Sequence, residues 1–334
     1  MAAIPINLSL TDPQVIHSDD DGEERVFLQI LQDLVNCQKD PAKAAQEITT
    51  IIVDDCEKSF AKWSDPSTRT FDTDGHPDVS IAYGWQHMLW HALRQIGEVV
   101  PADHPGQHSL VSFLAELQQQ PDHKLKGVEI YDKYDYDYEL CWKKDYDRFY
   151  AWLSKLVAVF FHPSDTASFA KRQRYLNFSA FLARLLASGV MDTDGISPLS
   201  NGYFDINPFR ASDGNLKLEL DVDLYESQVE AVAIWIDLAG TVTYDMCKRG
   251  YDVESKSCKG AVWTWNRAKE RLKSVARAEG KLSQKTCETA RQTLEIMKKI
   301  EQEYSATSAG DKLGLCFTAE EQREWYWELE DEDY

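Results

Sequence analysis

Apolar side chains recur every three to four residues along most of this chain, and that spacing suits helices far better than strands. In "EERVFLQILQDLVNCQ", Val26, Phe27, Ile30, Leu31 and Leu34 fall on one stripe. In the following "PAKAAQEITTIIVDDCEKSFAKW", Ala44, Ile48, Ile51, Ile52 and Cys56 do the same. Both match the amphipathic helix. Residues 79–100 carry Trp85, Met88, Leu89, Ala92, Leu93, Ile96 and Val99 before Pro101 stops the run. "YLNFSAFLARLLASGV" puts Phe178, Phe181, Leu182, Leu185 and Leu186 on one face. Gly189 then suits a left-handed residue past the helix end, with Val190 supplying the apolar contact. From Val229 to Ala239 the chain is apolar on nearly all sides, which also fits a buried strand. The spacing continues through Gly240, Thr243 and Cys247, so a central helix is expected. Residues 261–279 and 283–304 form a closing helical pair.

Punctuation supports this reading. Asp12-Pro13, Asp40-Pro41 and Asp65-Pro66 each resemble an N-cap followed by Pro at the first helical position. Asp103 or His104 stands at the cap of the next helix, with Pro105 in its first turn. Residues 65–78 are polar and turn-rich, so a loop is expected there. The stretch 127–150 alternates Tyr with Asp and reads as an exposed insertion or an aromatic-crowded helix start. Residues 191–217 are dense in Gly, Pro, Asn and Asp. The expected fold is all-α: a single globular helical bundle of about ten helices over 23–328. It has a flexible segment at 1–22, insertions near 127–140 and 191–217, and an acidic tail at 329–334.

Charge narrows the partners. There are 56 Asp and Glu against 36 Lys and Arg, a net charge of −20. That field repels a phosphate backbone and an anionic membrane surface, so neither nucleic acid nor membrane is expected as a partner. No run approaches the length of a membrane span. The seven cysteines form no CxxC pair, and the N-terminus shows no signal-peptide pattern. A reducing, cytoplasmic setting with buried thiols is the reading, without structural zinc.

Few residues invite chemistry. His87 and His91 share a helix face at i, i+4 spacing, but Met88 stands where a zinc-protease helix needs Glu, and no third ligand is evident. No metal is therefore assigned, and a pocket-wall or interhelical hydrogen-bonding role is expected, with Arg94 beside them. Asp237 is the one charge between Glu230 and Asp245. It points either to a wet side of its helix, with Arg184 as a plausible ion partner, or into a low-dielectric pocket where burial would raise its pKa. Trp85, Trp90, Trp152 and Trp235 are candidates for an aromatic cavity, although such stripes also build cores. Phosphate-cradling, Rossmann, GxSxG and HExxH motifs are absent, so no cofactor is expected.

The segments "YGWQHMLWHALRQIGEVVPADHPGQHSLVSFLAELQQQP", "YLNFSAFLARLLASGVMD" and "VEAVAIWIDLAGTVTYDMCK" resemble a family of filamentous-fungal proteins known only as a domain of unknown function. The resemblance covers roughly residues 25–305. Its matched positions, His104, Pro105, Asn177, Arg184, Trp235 and Gly240, read as helix caps and packing points. What the resemblance implies is an intracellular, all-helical fungal protein whose relatives accompany specialised-metabolism genes.

Two functions follow as expectations. The first is a cofactor-independent enzyme or binder, of cyclase or isomerase type, acting on a hydrophobic metabolite. Asp237, His87 and His91 would be its catalytic candidates. Arg94, Trp85, Trp235, Asn177 and Arg184 would be its binding candidates. The alternative is a non-enzymatic helical scaffold. Its protein partner would be held through the C-terminal tail, where Trp325 and Trp327 sit beside an acidic rim.

Overall fold

The computed structural model describes residues 5–7, 22–72, 75–128, 134–143, 169–190, 222–249 and 259–307. The described part is mostly helical. Its eight helices are α1 (Gly22–Val35), α2 (Pro41–Ser64), α3 (Ala82–Val99), α4 (Gly106–Gln118), α5 (Phe169–Ala187), α6 (Val222–Arg249), α7 (Lys259–Ala276) and α8 (Gln284–Thr307). About ten were expected. Asp12-Pro13, Trp152, the 191–217 insertion and the C-terminal tail with Trp325 and Trp327 lie outside the described residues.

The periodic stripes face inward as their spacing requires. Phe27, Ile30, Leu31 and Leu34 are buried, as are Ala44, Ile48, Ile52 and Cys56, whereas Val26 is exposed. Asp40 caps α2, its carboxylate accepting from Lys43 N at 3.1 Å with Pro41 at the first turn. Asp65 does not start a helix. It ends α2, and its carboxylate accepts from Ser67 N at 2.9 Å in a turn. The Val229–Ala239 run lies within α6, so the helical reading holds over the strand. Gly189 adopts φ +70°, and Val190 behind it is buried.

The described part of the alternating Tyr/Asp stretch forms strand, at 127–128 and 135–140. β1 (His123–Val128) and β2 (Asp135–Leu140) pair antiparallel in a hairpin, with Lys124 opposite Glu139 and Lys126 opposite Asp137. Period-two alternation turns Tyr136 and Tyr138 inward while Asp135, Asp137 and Glu139 stay in solvent. Tyr138 accepts a hydrogen bond from Ala82 N at 3.0 Å, tying the hairpin to the start of α3.

Two packed groups share one core. α1, α2 and α4 pack together with β1 against α2, while α6 packs with α7 and α8. α5 contacts α3, α4 and α6, and so bridges the two groups. In the second group the buried Trp265 donates to Glu301 at 2.8 Å, and Lys269 donates to the same carboxylate at 2.7 Å. Tyr244 packs on Trp265 and Tyr304, with ring centroids 4.9 and 5.3 Å away.

Candidate functional site

α3 cannot continue past Val99 because Pro101 follows, yet Glu98 and Ala102 still have a carbonyl and an amide to satisfy. In an unbroken helix the Ala102 amide would donate to the Glu98 carbonyl. Here the carboxamide of Asn177, from α5, stands between them. Its Nδ2 donates to Glu98 O at 3.0 Å, and its Oδ1 accepts from Ala102 N at 3.1 Å. One side chain from a distant helix thus replaces both halves of the missing helical bond. Gln173, one turn earlier on α5, donates to the same Oδ1 at 2.9 Å.

A second carboxamide completes the corner. Gln107, fully buried near the start of α4, donates to Val100 O at 2.9 Å and to Asn177 O at 3.0 Å. Its Oε1 accepts from Arg184 Nη1 at 2.6 Å. His104 is buried beside it and accepts from Gly106 N through Nδ1 at 3.0 Å; the N-cap position of α4 is Pro105, neither Asp103 nor His104. Gly106 is required there: a Cβ would stand 2.2 Å from the backbone oxygen of Val35.

Charges flank this amide core. Glu98 is 4% exposed and accepts from Arg94 Nε at 2.8 Å. Burial pushes the Glu98 carboxyl above its ordinary value, and the positive charges of Arg94 and Arg174 offset this only in part. Arg184 is half-buried. Desolvation lowers its pKa against the opposing pull of Asp237 and Asp103. Its Nε is buried with no hydrogen-bond partner among the described residues.

Four of the sequence-nominated residues therefore fall along one chain of contacts. It runs from Arg94 through Glu98, Asn177, Gln107 and Arg184 to the field of Asp237. Glu98 and Gln107 were not nominated. Nothing in their local sequence marks them, since each looks like an ordinary polar helix position.

The other nominated residues lie elsewhere. His87 is exposed and His91 half-buried on α3, with ring centroids 4.5 Å apart. Desolvation, then the charges of His87 and Arg94, lower the His91 pKa. Trp85 donates to Asp55 at 2.8 Å and packs on Phe27. Trp235 is buried in the core, and Trp90 is buried edge-on against Trp142. Trp90 and Trp235 belong to the buried core, and Trp85 packs against it from a half-buried position. Asp237 is exposed, so the low-dielectric reading of this carboxylate is corrected: α6 turns it to its wet side.

Asp237 does stand on the rim of a cleft of about 390 Å³ between α6 and α8 at the end of α5. Ile236, Gly240, Ile296 and Ile300 contribute its apolar wall, and Lys299 and Glu303 its outer edge. Lys299 and Glu303 approach each other at 3.7 Å. Gly240 sets the depth at which α8 approaches, since a Cβ there would meet Ile300 Cδ1 at 2.7 Å.

The family model described as "Protein of unknown function (DUF3632)" matches residues 90–291. The chain belongs to this family. The DUF3632 span is narrower than the 25–305 of the sequence resemblance. It takes in the whole amide corner and Asp237 but leaves out Trp85, His87 and the α8 side of the cleft. No curated protein and no solved structure gives a significant match. Among the described residues there is no helix long and apolar enough to cross a membrane.

Proposed function

We propose that this DUF3632 protein is a helical binder of a small, apolar-bodied molecule, seated in the cleft beside Asp237. The observation that carries the reading is the cleft itself. Its volume of about 390 Å³ falls in the range of small-molecule sites, and its lining joins an isoleucine wall to charged side chains at the mouth. The Asn177–Gln107 corner, by contrast, spends its polar atoms on holding α3, α4 and α5. It serves the fold and leaves ligand contact to α6 and α8.

The sequence resemblance argues for a hydrophobic specialised metabolite of a fungus, handled in the cytoplasm. Asp237 is the carboxylate the cleft presents to such a ligand. A cyclase- or isomerase-type reaction without cofactor would use that carboxylate as its base. The helical-scaffold reading stands second, favoured by the filled core at Trp90, Trp142 and Trp235.

The test is titration with a fluorescent anilinonaphthalene probe. Thr241 lines the cleft and is exposed, so Thr241→Trp fills the space without entering the core. Saturable binding that Thr241→Trp abolishes at unchanged melting temperature supports the reading. Absence of saturable binding, or equal binding by the variant, refutes it.

A further inference from the structure

We infer that His87 and His91 form a two-imidazole seat for a divalent transition cation of the zinc and copper class, independent of the cleft. The pair sits one turn apart on α3, where i and i+4 side chains are neighbours. Its ring centroids are 4.5 Å apart at an interplanar angle of 57°. A cation bonded to two imidazole nitrogens at ~2.0–2.1 Å each places the ring centroids about 4.5–5.2 Å apart. The pair therefore already has the separation that chelation needs.

Access agrees with this. His87 is exposed and His91 half-buried. Arg94 is the positive charge closest in sequence, and its guanidinium is engaged by Glu98 at 2.8 Å. Among the described residues no cluster of three ligating side chains exists. The seat is thus an open one, with its remaining positions left to water or to an incoming donor. The sequence reading set the pair aside for want of a third protein ligand, which an open site does not require.

The experiment is isothermal titration of the full chain with Zn²⁺, then with Cu²⁺, which imidazole pairs hold more tightly. One saturating equivalent per chain is expected. His87→Ala and His91→Gln should each weaken it by at least about tenfold, the scale on which ligand-shell changes move metal affinity. The double variant His76→Ala/His108→Ala, which removes one half-buried and one exposed imidazole elsewhere, should bind as wild type. Binding unaffected by His87→Ala and His91→Gln, or no saturable binding, overturns the assignment. His87 is exposed, so His87→Ala leaves the fold intact and keeps the test decisive.

Discussion

Asn177→Ala is the sharpest perturbation of this fold. The substitution strands the Glu98 carbonyl and the Ala102 amide together, because Asn177 is the partner of both. Asn177 is 3% exposed, so water does not readily take its place. A stranded buried polar group costs about 1–3 kcal/mol. Ala102 is half-buried and recovers part of its share from solvent, which leaves a loss of roughly 2–4 kcal/mol for the pair. At about 2–4 °C per kcal/mol for chains approaching this size, the melting temperature should fall by roughly 4–16 °C. Thermal unfolding followed by far-UV circular dichroism reads this directly. Asn177→Asp separates the two halves. It keeps an acceptor for Ala102 but removes the donor to Glu98 O and sets a negative charge near a buried carboxyl. It should therefore destabilise at least as much as Asn177→Ala. A change under about 1 °C for Asn177→Ala would refute the idea that one carboxamide replaces the missing helical bond.

Further outcomes follow from the same contacts. Gly106→Ala drives a methyl into the Val35 backbone oxygen, whereas Gly240→Ala meets only the flexible end of Ile300. Urea unfolding should show the first losing several times more stability than the second. The Glu98 carboxyl has its folded pKa raised above the ordinary 4.5. The folded state then holds the proton more tightly, so wild-type stability declines as pH rises from about 4.5 through the folded value and levels off above it. Glu98→Gln should flatten that decline in denaturation midpoints measured from pH 4 to 7. Trp235→Ala empties a fully packed position and should cost about 3–5 kcal/mol in the same urea assay.

The helices were legible because each buries a stripe, and burial writes its period into the sequence. Asp40-Pro41, Gly189 and the α6 run are cases in which local chemistry and tertiary packing demand the same thing. The hairpin was misread for a physical reason. Tyr and Asp are both polar on a coarse hydropathy scale, so the period-two alternation of 135–139 carried no apolar signal, although Tyr136 and Tyr138 are the less exposed face. The polar corner was half legible. Arg184 stood out as a plausible ion partner of Asp237, and Asn177 as a matched position of the family resemblance. Glu98 and Gln107 did not, because the Asn177 contacts that give them their place lie 70 or more residues away and only the fold brings them together. Asp237 was recognisable as unusual, but whether α6 turned it inward or outward depended on where α8 packs.

The most direct test is a backbone and side-chain amide NMR titration of the isotope-labelled chain with the anilinonaphthalene probe. Shifts confined to Ile236–Val242 and Ile296–Glu303, with the Asn177 and Gln107 carboxamide signals unmoved, are the predicted result. Shifts centred on Arg94–Gln107 and Asn177 would show instead that the polar corner receives the ligand, and would contradict the division of labour between fold and cleft.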